Sequence, residues 1–473
     1  MMKLSTYLGD RPFWRSTLHL ALPIALQNVL TSSFQIVDTM MVSRLGDATL
    51  SAVGMAGQVS WLVGLLNFGL ASGLSIFVAQ YWGVRDRKGI RKMMGLGLVT
   101  CLIFSLLAVA LSAAMPERIL RLFNQDDAVV GAGCRYLVLA CLSYPAVAVT
   151  NVLSTVLRGV ERPRLPLYVS VLTTIANAVL NYGLIFGKLG LPRLEVEGAA
   201  LATCISAWLG PVLLLAWSAW EKNILTGALR ELIAFTRRDL AEFFRKALPV
   251  VFDEGLWALG IVGLNMIFSN MGHEYYAGLT IYKTFGDLAF AFYTGLGGAC
   301  IVMVGKSIGQ GEIRRGLTDA WRFILLTPLA ALAIGLVIIA FRHPLVAAFA
   351  GESSLSALTV KTALSITVFA CLELPVKTLG YILLVGVLRS GGDTVQGMLC
   401  DLGSFFLVGL PFTWAAAHWL HLPFVAVVAV AYLSEDFVKA LLCLIYFLSK
   451  KWIKPVTPEG IAGLEAYNRQ KSQ

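Results

Sequence analysis

The chain has 473 residues, of which 57% are hydrophobic and 14% charged, against about 25% charged residues in soluble domains. So few polar groups cannot cover a water-exposed surface, and we expect an all-α polytopic membrane protein. The net charge of +10 lies in short loops between apolar runs, which is typical of cytoplasmic anchoring and excludes a nucleic-acid-binding role. The eight cysteines have neither metal-site nor secreted-disulfide spacing and are interpreted as packing residues.

Twelve apolar runs are long enough to cross a bilayer, which needs about 20 residues at ~1.5 Å each. They lie near 17–42, 50–80, 91–114, 129–156, 164–186, 196–220, 244–270, 275–305, 317–341, 358–388, 395–417 and 422–449. Residues 1–16 are polar and have no small-residue cleavage site. We therefore expect the first helix to direct insertion, without removal of a signal peptide.

A polar stretch at 221–243 separates the first six runs from the last six. The predicted domains are a six-helix bundle at 1–220, a cytoplasmic linker at 221–243, a second six-helix bundle at 244–449 and a cytoplasmic tail at 450–473. With the amino terminus in the cytoplasm, 26 basic residues fall in cytoplasmic segments and 6 in the opposite loops. This bias predicts a multi-pass protein of the cell (inner) membrane with both termini cytoplasmic.

The second half of the chain repeats the order of prolines and glycines of the first half. A shift of 226 residues aligns Pro23 with Pro249, Gly46 with Gly272, and Gly83 with Gly309. A VLR triplet that ends at Arg158 recurs with its end at Arg389. Because proline and glycine fix backbone geometry, their register indicates a duplication. An even number of spans per copy predicts two bundles related by a pseudo-twofold axis along the membrane normal.

Four polar side chains of the first half predict a cation site within the bilayer. Asp38 is the deep acid of the first span, and Asn177 and Asn181 lie one helical turn apart on the fifth span. Thr203 of the sixth span is placed beside them. A carboxylate, amide oxygens and a hydroxyl suit Na⁺, whereas the carboxylate alone suits a proton. The alternative is that Asp38 is only hydrogen-bonded at the membrane interface.

The second half carries more charges within its spans. Glu254 lies near the predicted midplane, and no basic residue stands three or four positions away. Desolvation favours protonation of such a lone carboxylate, so Glu254 is a second coupling candidate. The other charges form a candidate substrate or charge network, which comprises Asp253, Lys283 with Asp287, Glu373 with Lys377, and Glu435 with Asp436 and Lys439. The three lysine–acid pairs spaced by four residues share a helix face. They either neutralise each other during insertion or act directly.

Three stretches together resemble the multidrug and toxic compound extrusion (MATE) transporters. They are VDTMMVSRLGDATLSAVG in the first helix and the paired signatures VLRGVERPRLP and VLRSGGDT. The resemblance runs over nearly the whole chain. It implies a V-shaped pair of six-helix bundles, alternating access, and export of cationic or amphipathic compounds against inward flow of Na⁺ or H⁺.

Carried over by position, the resemblance assigns the first-lobe cation site to Asp38, Asn177 and Thr203. It assigns the second-lobe acid to Glu254. Asn181 stands where many members have aspartate, so a Na⁺ bound there would meet one formal charge instead of two. This departure favours protons as the coupling ion.

The second half also departs from the family pattern. Thr378 stands where many members carry an acid in the tenth helix, which makes Glu373 a weaker counterpart. Lys283 and Lys377 are unlike the lining of a simple cation cavity. They imply either internal ion pairs or a substrate with some anionic character.

Two other function classes compete with this interpretation. A lipid-linked sugar flippase would need unpaired basic side chains in its cavity, whereas the second-half residues named above comprise six acids and three lysines. A membrane enzyme would need a catalytic motif, and the five histidines are scattered without one. We therefore expect a monomeric antiporter of small organic cations or amphipaths in a lipid bilayer. It is expected to be no enzyme and to need no cofactor besides its coupling ion.

Overall fold

The computed structural model describes residues 9–350 and 355–472, and their side chains except at 34, 36, 229, 285, 288, 348–350, 471 and 472. The first eight residues of the predicted amino-terminal segment therefore lie outside the description. Twelve long helices make up most of the rest: α1 (Arg11–Ser43), α2 (Asp47–Gly83), α3 (Arg87–Ala114), α4 (Asp127–Gly159), α5 (Arg164–Phe186), α6 (Glu195–Glu221), α7 (Arg237–Asn270), α8 (His273–Gly309), α9 (Ile313–Ala340), α10 (Ala357–Gly391), α11 (Thr394–His418) and α12 (Phe424–Ser449).

Eleven of these helices are long and apolar enough to cross a membrane, within the described residues. The exception is α12. It has 26 residues, and every 18-residue stretch of it contains Glu435, Asp436 and Lys439. Its length suits a span, and its three charges need partners inside the protein. The all-helical fold class predicted from the sequence is confirmed.

Helix boundaries repeat with the offset found in the sequence. The starts of α1, α2 and α3 lie 226 residues before those of α7, α8 and α9, and the ends of α2 and α3 show the same offset. Pro23 and Pro249 are each the thirteenth residue of their helix. Short helices follow the third helix of both halves, at Pro116–Leu120 and Arg342–Ala350. The duplication therefore extends from the sequence to the elements it builds.

Two compact units make up the chain, and each contains part of α1 and part of α7. One unit comprises residues 1–25 and 252–473, and the other comprises 26–251. The divisions fall two residues after Pro23 and two residues after Pro249. Each proline removes a helical hydrogen bond at the point where its helix passes from one unit to the other. The unit boundaries thus lie inside two helices, whereas the sequence analysis had placed the division at the 221–243 connection.

Glycines allow the first segments of α1 and α7 to pack closely within these units. A Cβ on Gly73 of α2 would lie 2.6 Å from Cα of Ala247 in α7. A Cβ on Gly295 of α8 would lie 2.5 Å from the carbonyl oxygen of Ala21 in α1. Both contacts are against backbone, which has no rotamer with which to move away. Close helix packing at these points therefore requires glycine.

The connection between the halves is more structured than the predicted linker. α7 begins at Arg237 because Thr236 and Asp239 form a reciprocal cap, with the Thr236 amide donating to Asp239 Oδ2 at 2.8 Å. Lys92 of α3 pairs with Asp239 at 2.6 Å, and Arg91 pairs with Glu231 at 2.6 Å. The connection is thereby fixed to α3. A further helix, Pro458–Ser472, occupies most of the predicted tail.

Candidate functional site

The first polar cluster is a chain of hydrogen bonds from α1 through α5 to α6. Asn181 Nδ2 donates to Asp38 Oδ1 at 2.6 Å and to Asn177 Oδ1 at 2.7 Å. Asn177 Nδ2 donates to Ser206 Oγ at 2.8 Å. Thr203 lies one turn before Ser206, whose hydroxyl donates to the Thr203 carbonyl at 3.1 Å. The structure thus brings the four predicted residues together with Ser206, and we call these five residues the Asp38 cluster.

One buried oxygen in the Asp38 cluster has no hydrogen bond to any of the described residues. Asn181 is fully buried, and both contacts described above use its Nδ2, which leaves Oδ1 without a partner. A buried amide oxygen without a donor is costly. It lies on the residue that contacts the Asp38 carboxylate, so it can accept a proton donor or coordinate a cation beside that acid. This orphaned oxygen fits a cation-binding role.

Sequence reasoning missed two members of this environment. Ser206 was predictable, because it stands three residues after Thr203 on one face of α6. Tyr136 of α4 is buried, and its hydroxyl interacts with the Thr203 side chain. Tyrosines are frequent in spans, and no spacing in the sequence linked Tyr136 to Asp38.

The second half places a buried arginine on the two acids of α7. Arg389 Nη2 lies 3.2 Å from Asp253 Oδ2 and 3.1 Å from Glu254 Oε1. Arg389 and Asp253 are each 3% exposed. The predicted span 358–388 ends just before Arg389, and Glu254 was interpreted as a lone carboxylate; the structure corrects both, because Arg389 is buried and pairs with Glu254. Arg389 follows a π-helical stretch, Ile382–Leu388, which carries it inward. Arg389, Asp253 and Glu254 form the Arg389 cluster.

The first half contains a neutral counterpart of the Arg389 cluster. Arg158, which ends the other VLR triplet, donates from Nη2 to Gln27 Oε1 at 2.5 Å. Gln27 is the residue that the 226-residue offset aligns with Asp253. The duplicated halves therefore share an arginine contact between equivalent helices. Its partner is an amide in one half and a pair of carboxylates in the other.

A second cation collects three further acids. Lys439 Nζ lies 2.7 Å from Glu435 Oε1, 2.8 Å from Asp401 Oδ1 and 3.7 Å from Asp436 Oδ1. All four residues are buried. These residues form the Lys439 cluster. Asp401 of α11 was missed in the sequence because no basic residue stands nearby to mark it. Asp401 also interacts electrostatically with Asp253, which connects the Lys439 and Arg389 clusters.

Five buried or half-buried carboxylates therefore share two cations in this half. Ion pairing cannot neutralise all five at once. A buried carboxylate that lacks a counterion avoids the desolvation cost by binding a proton. The charge balance therefore suits protonation of the acids that Arg389 and Lys439 leave without a counterion.

Of the three predicted lysine–acid pairs, only Glu435–Lys439 is formed within 4 Å in the described residues. Lys283 Nζ donates to Asn265 Oδ1 at 2.8 Å, and it does not form the predicted pair with Asp287. Lys377 lies over aromatic rings and does not form the predicted pair with Glu373. The spacing of four residues does put each lysine and its acid on one helix face. Lys283 and Lys377 nevertheless contact side chains of other helices.

Glu373 and Thr378 of α10 are both buried, with different outcomes. The Thr378 hydroxyl donates to the Leu374 carbonyl at 2.8 Å, so it is occupied within its own helix. Glu373 is 3% exposed, and its Oε1 has no hydrogen-bond partner. The threonine cannot replace a missing acid. The Glu373 carboxyl already interacts with Asp436 of α12 and electrostatically with Lys377, and only its Oε1 is left for a further partner among the described residues.

Comparison with known proteins gives two matches to one family model, MatE, at residues 23–183 and 249–415. The two matches begin at Pro23 and Pro249, with the 226-residue offset of the internal repeat. The chain is 25% identical over 451 residues to a Thermotoga maritima protein named "Probable multidrug resistance protein NorM", with 93% of each chain covered. It is 28% identical over 414 residues to a protein of the same name from Bradyrhizobium diazoefficiens, with 85% and 86% covered.

Solved structures share the fold of this chain over nearly its whole length. The crystal structure of the eukaryotic MATE transporter AtDTX14 gives a TM-score of 0.83 at 19% identity, with 98% of this chain and 99% of that chain covered. An outward-facing multidrug resistance MATE family transporter of the MOP superfamily gives 0.84 at 20% identity, with 95% and 98% covered.

Proposed function

We propose that this chain, which belongs to the MatE family and is therefore a membrane transporter and not an enzyme, exports cationic or amphipathic compounds in exchange for protons. The observation that carries the proposal is the charge balance of the second half, where five carboxylates share Arg389 and Lys439. Such a set attracts cations and holds protons. The same balance opposes an anionic lipid-linked sugar as substrate.

The Asp38 cluster supplies a second place where a proton changes the structure. While Asp38 is ionised, its carboxylate accepts from Asn181 Nδ2. Once protonated, its hydroxyl is able to donate to Asn181 Oδ1, the oxygen that now lacks a partner. The Asn181 amide then turns, and its contact with Asn177 turns with it. Binding one proton at Asp38 thus reverses hydrogen bonds that reach Ser206 on α6.

Na⁺ is the other candidate for this cluster. It would take the Asp38 carboxylate and the Asn181 Oδ1 oxygen as ligands, with Asn177 and Thr203 nearby, and would be carried as a co-substrate. With one carboxylate in the cluster, the bound ion meets one formal negative charge. A proton needs only that carboxylate, and for this reason the proposal specifies protons.

Alternating access couples these events to export in the proposal. Protons that bind from outside and substrate that binds from inside neutralise the same acids and therefore compete for them. Each favours a different conformational state of the transporter. We assign the protein to the cell membrane as a monomer with both termini in the cytoplasm, following the excess of basic residues in the cytoplasmic segments. Two of those residues, Arg158 and Arg389, bind side chains within the protein, and the bias does not depend on them.

The test uses the purified full chain in liposomes, with ethidium as the substrate and an imposed proton or Na⁺ gradient. We expect the proton gradient to drive ethidium transport in the wild type, and Asp38→Asn and Glu254→Gln each to abolish that gradient-driven transport. Proton release on ethidium binding, followed with a pH indicator, should decrease in both variants. Asp47→Asn, which changes an exposed acid at the start of α2, is the matched control and should behave as wild type.

Each result has a defined meaning. Transport driven by Na⁺ alone would overturn proton coupling, and the absence of ethidium movement under either gradient would overturn the proposed export. Unchanged proton release in Asp38→Asn would make Asp38 structural and leave coupling to the second half.

A further inference from the structure

Lys377 of α10 is a charged residue of the second half that belongs to neither the Arg389 cluster nor the Lys439 cluster. Its ammonium lies 5.6 Å from the ring centroid of Tyr432 in α12 and 5.8 Å from that of Phe290 in α8. Both distances are within the range of a cation–π contact. No carboxylate of the described residues forms an ion pair with Lys377, whereas Lys439 binds three. The two aromatic rings are its described partners.

A lysine inside a membrane span is expensive to insert, and two cation–π contacts recover only part of that cost. Lys377 in this position therefore contributes little to the stability of the fold. Pairing with Glu373, one turn away on the same helix face, would neutralise it better. The Glu373 Oε1 oxygen is buried and has no hydrogen bond in the described structure. The Lys377 side chain thus has an alternative partner, Glu373, with which it does not pair in this structure.

The surroundings of the ammonium are those of a site for an organic cation. Phe290, Lys377 and Tyr432 are all half-buried, so the rings can be reached from outside the protein core. Tyr381, one turn beyond Lys377, packs edge-on against Phe290 with centroids 5.1 Å apart. Aromatic faces with nearby acids recognise quaternary ammonium and similar cations. Here Asp287 of α8 and Glu373 of α10 interact electrostatically with Lys377.

We propose that Phe290 and Tyr432 form a binding site for the ammonium or phosphonium group of an exported organic cation, and that Lys377 is its tethered occupant. A substrate cation displaces the lysine from the rings, and the lysine then pairs with Glu373. Return of the lysine to the rings expels the substrate. The competition weakens binding and thereby assists release. This inference rests on the proposed export of organic cations, for which it names one binding site.

The test measures equilibrium binding of tetraphenylphosphonium to the purified full chain in detergent, without any gradient. Lys377→Met removes the charge at similar length, and the dissociation constant should fall by about 2- to 30-fold, the worth of a cation–π contact. Lys377→Arg keeps a competing cation and should bind no more tightly than wild type. Adding Phe290→Leu to Lys377→Met should remove the gain.

Lys361→Met is the matched control, since this exposed lysine lies about four turns before Lys377 on the same helix. Its affinity for tetraphenylphosphonium should not rise. Equal or weaker binding by a folded Lys377→Met protein, or an equal gain in Lys361→Met, would overturn the proposal. Because binding is measured without a gradient, these outcomes are independent of coupling. Proton-driven export with no gain in Lys377→Met would reject the tethered lysine alone.

Discussion

The arginine contacts repeated in the two halves allow one substitution to be compared in two environments. Arg389→Gln removes the cation that contacts Asp253 and Glu254, and Arg158→Gln removes the cation that contacts the Gln27 amide. The backbone positions are equivalent in the repeat and the substitution is the same. A difference in stability between the two variants therefore reports on the partners of the arginine.

The expected losses of unfolding free energy differ, because a buried carboxylate without its cation destabilises the protein more than a buried amide without its donor. Breaking a buried ion pair on one side typically costs about 3–5 kcal/mol. Arg389 and Asp253 are each 3% exposed, so solvent screening does not reduce that figure. Losing a hydrogen bond between a charged donor and a neutral acceptor costs about 1.5–3 kcal/mol. We expect Arg389→Gln to be the less stable variant by about 2 kcal/mol at neutral pH.

Lower pH should narrow this difference. From about pH 8 to about pH 5, protons increasingly neutralise carboxylates that have lost their cation, which relieves Arg389→Gln. Neither arginine nor glutamine titrates in that range, so the loss in Arg158→Gln should stay constant. Six of the eight cysteines are buried and all are free, so a thiol-reactive fluorophore can follow unfolding of the full chain in detergent. Equal losses of unfolding free energy in the two variants, or a difference between them that widens at low pH, would refute the assignment of an arginine–carboxylate ion pair at Arg389.

Two further predictions follow from single contacts. Asn181→Asp adds a second carboxylate beside Asp38, and export should then become driven by a Na⁺ gradient; continued indifference to Na⁺ in liposomes would contradict the coordination argument. Gly73→Ala would place a Cβ 2.6 Å from Cα of Ala247, and we expect destabilisation of about 1–3 kcal/mol from overpacking. Gly57→Ala in the same helix meets nothing within 4 Å and should not destabilise the protein in the same unfolding assay.

Most of the fold could be predicted from the sequence, because a bilayer restricts the secondary structures that can cross it. Apolar runs of sufficient length must become helices, and the glycines that mark the repeat also mark the helix ends. Twelve helices were predicted and twelve are present in the described residues. The unit boundaries were not predictable. They depend on which partner each part of α1 and α7 packs against, and a hydropathy profile carries no information on packing partners.

Less of the candidate site could be predicted, because the position of a charged residue in the sequence does not show which distant residue it contacts. Asp38, Asn177 and Asn181 were found because amide and acid groups are rare in spans. Arg389 was assigned to a loop because it adjoins a polar turn, and the π-helical stretch before it could not be foreseen. Asp401 stands alone in α11, and its partner Lys439 comes from another helix. Contacts between helices, unlike spacing within one helix, require the structure.

The duplication explains how one fold carries two chemically different sites. Both halves place an arginine on the residue four positions after the aligned prolines, Pro23 and Pro249. In the first half that residue is Gln27, so the arginine contact does not titrate between about pH 5 and pH 8, and Asp38 is left as the carboxylate of its cluster. In the second half it is Asp253, so the same contact becomes titratable. In the proposed mechanism, protons act on the first half through one acid and on the second half through several acids that share two cations. Because the helices around them are equivalent, the difference between the halves lies in side-chain charge and not in architecture.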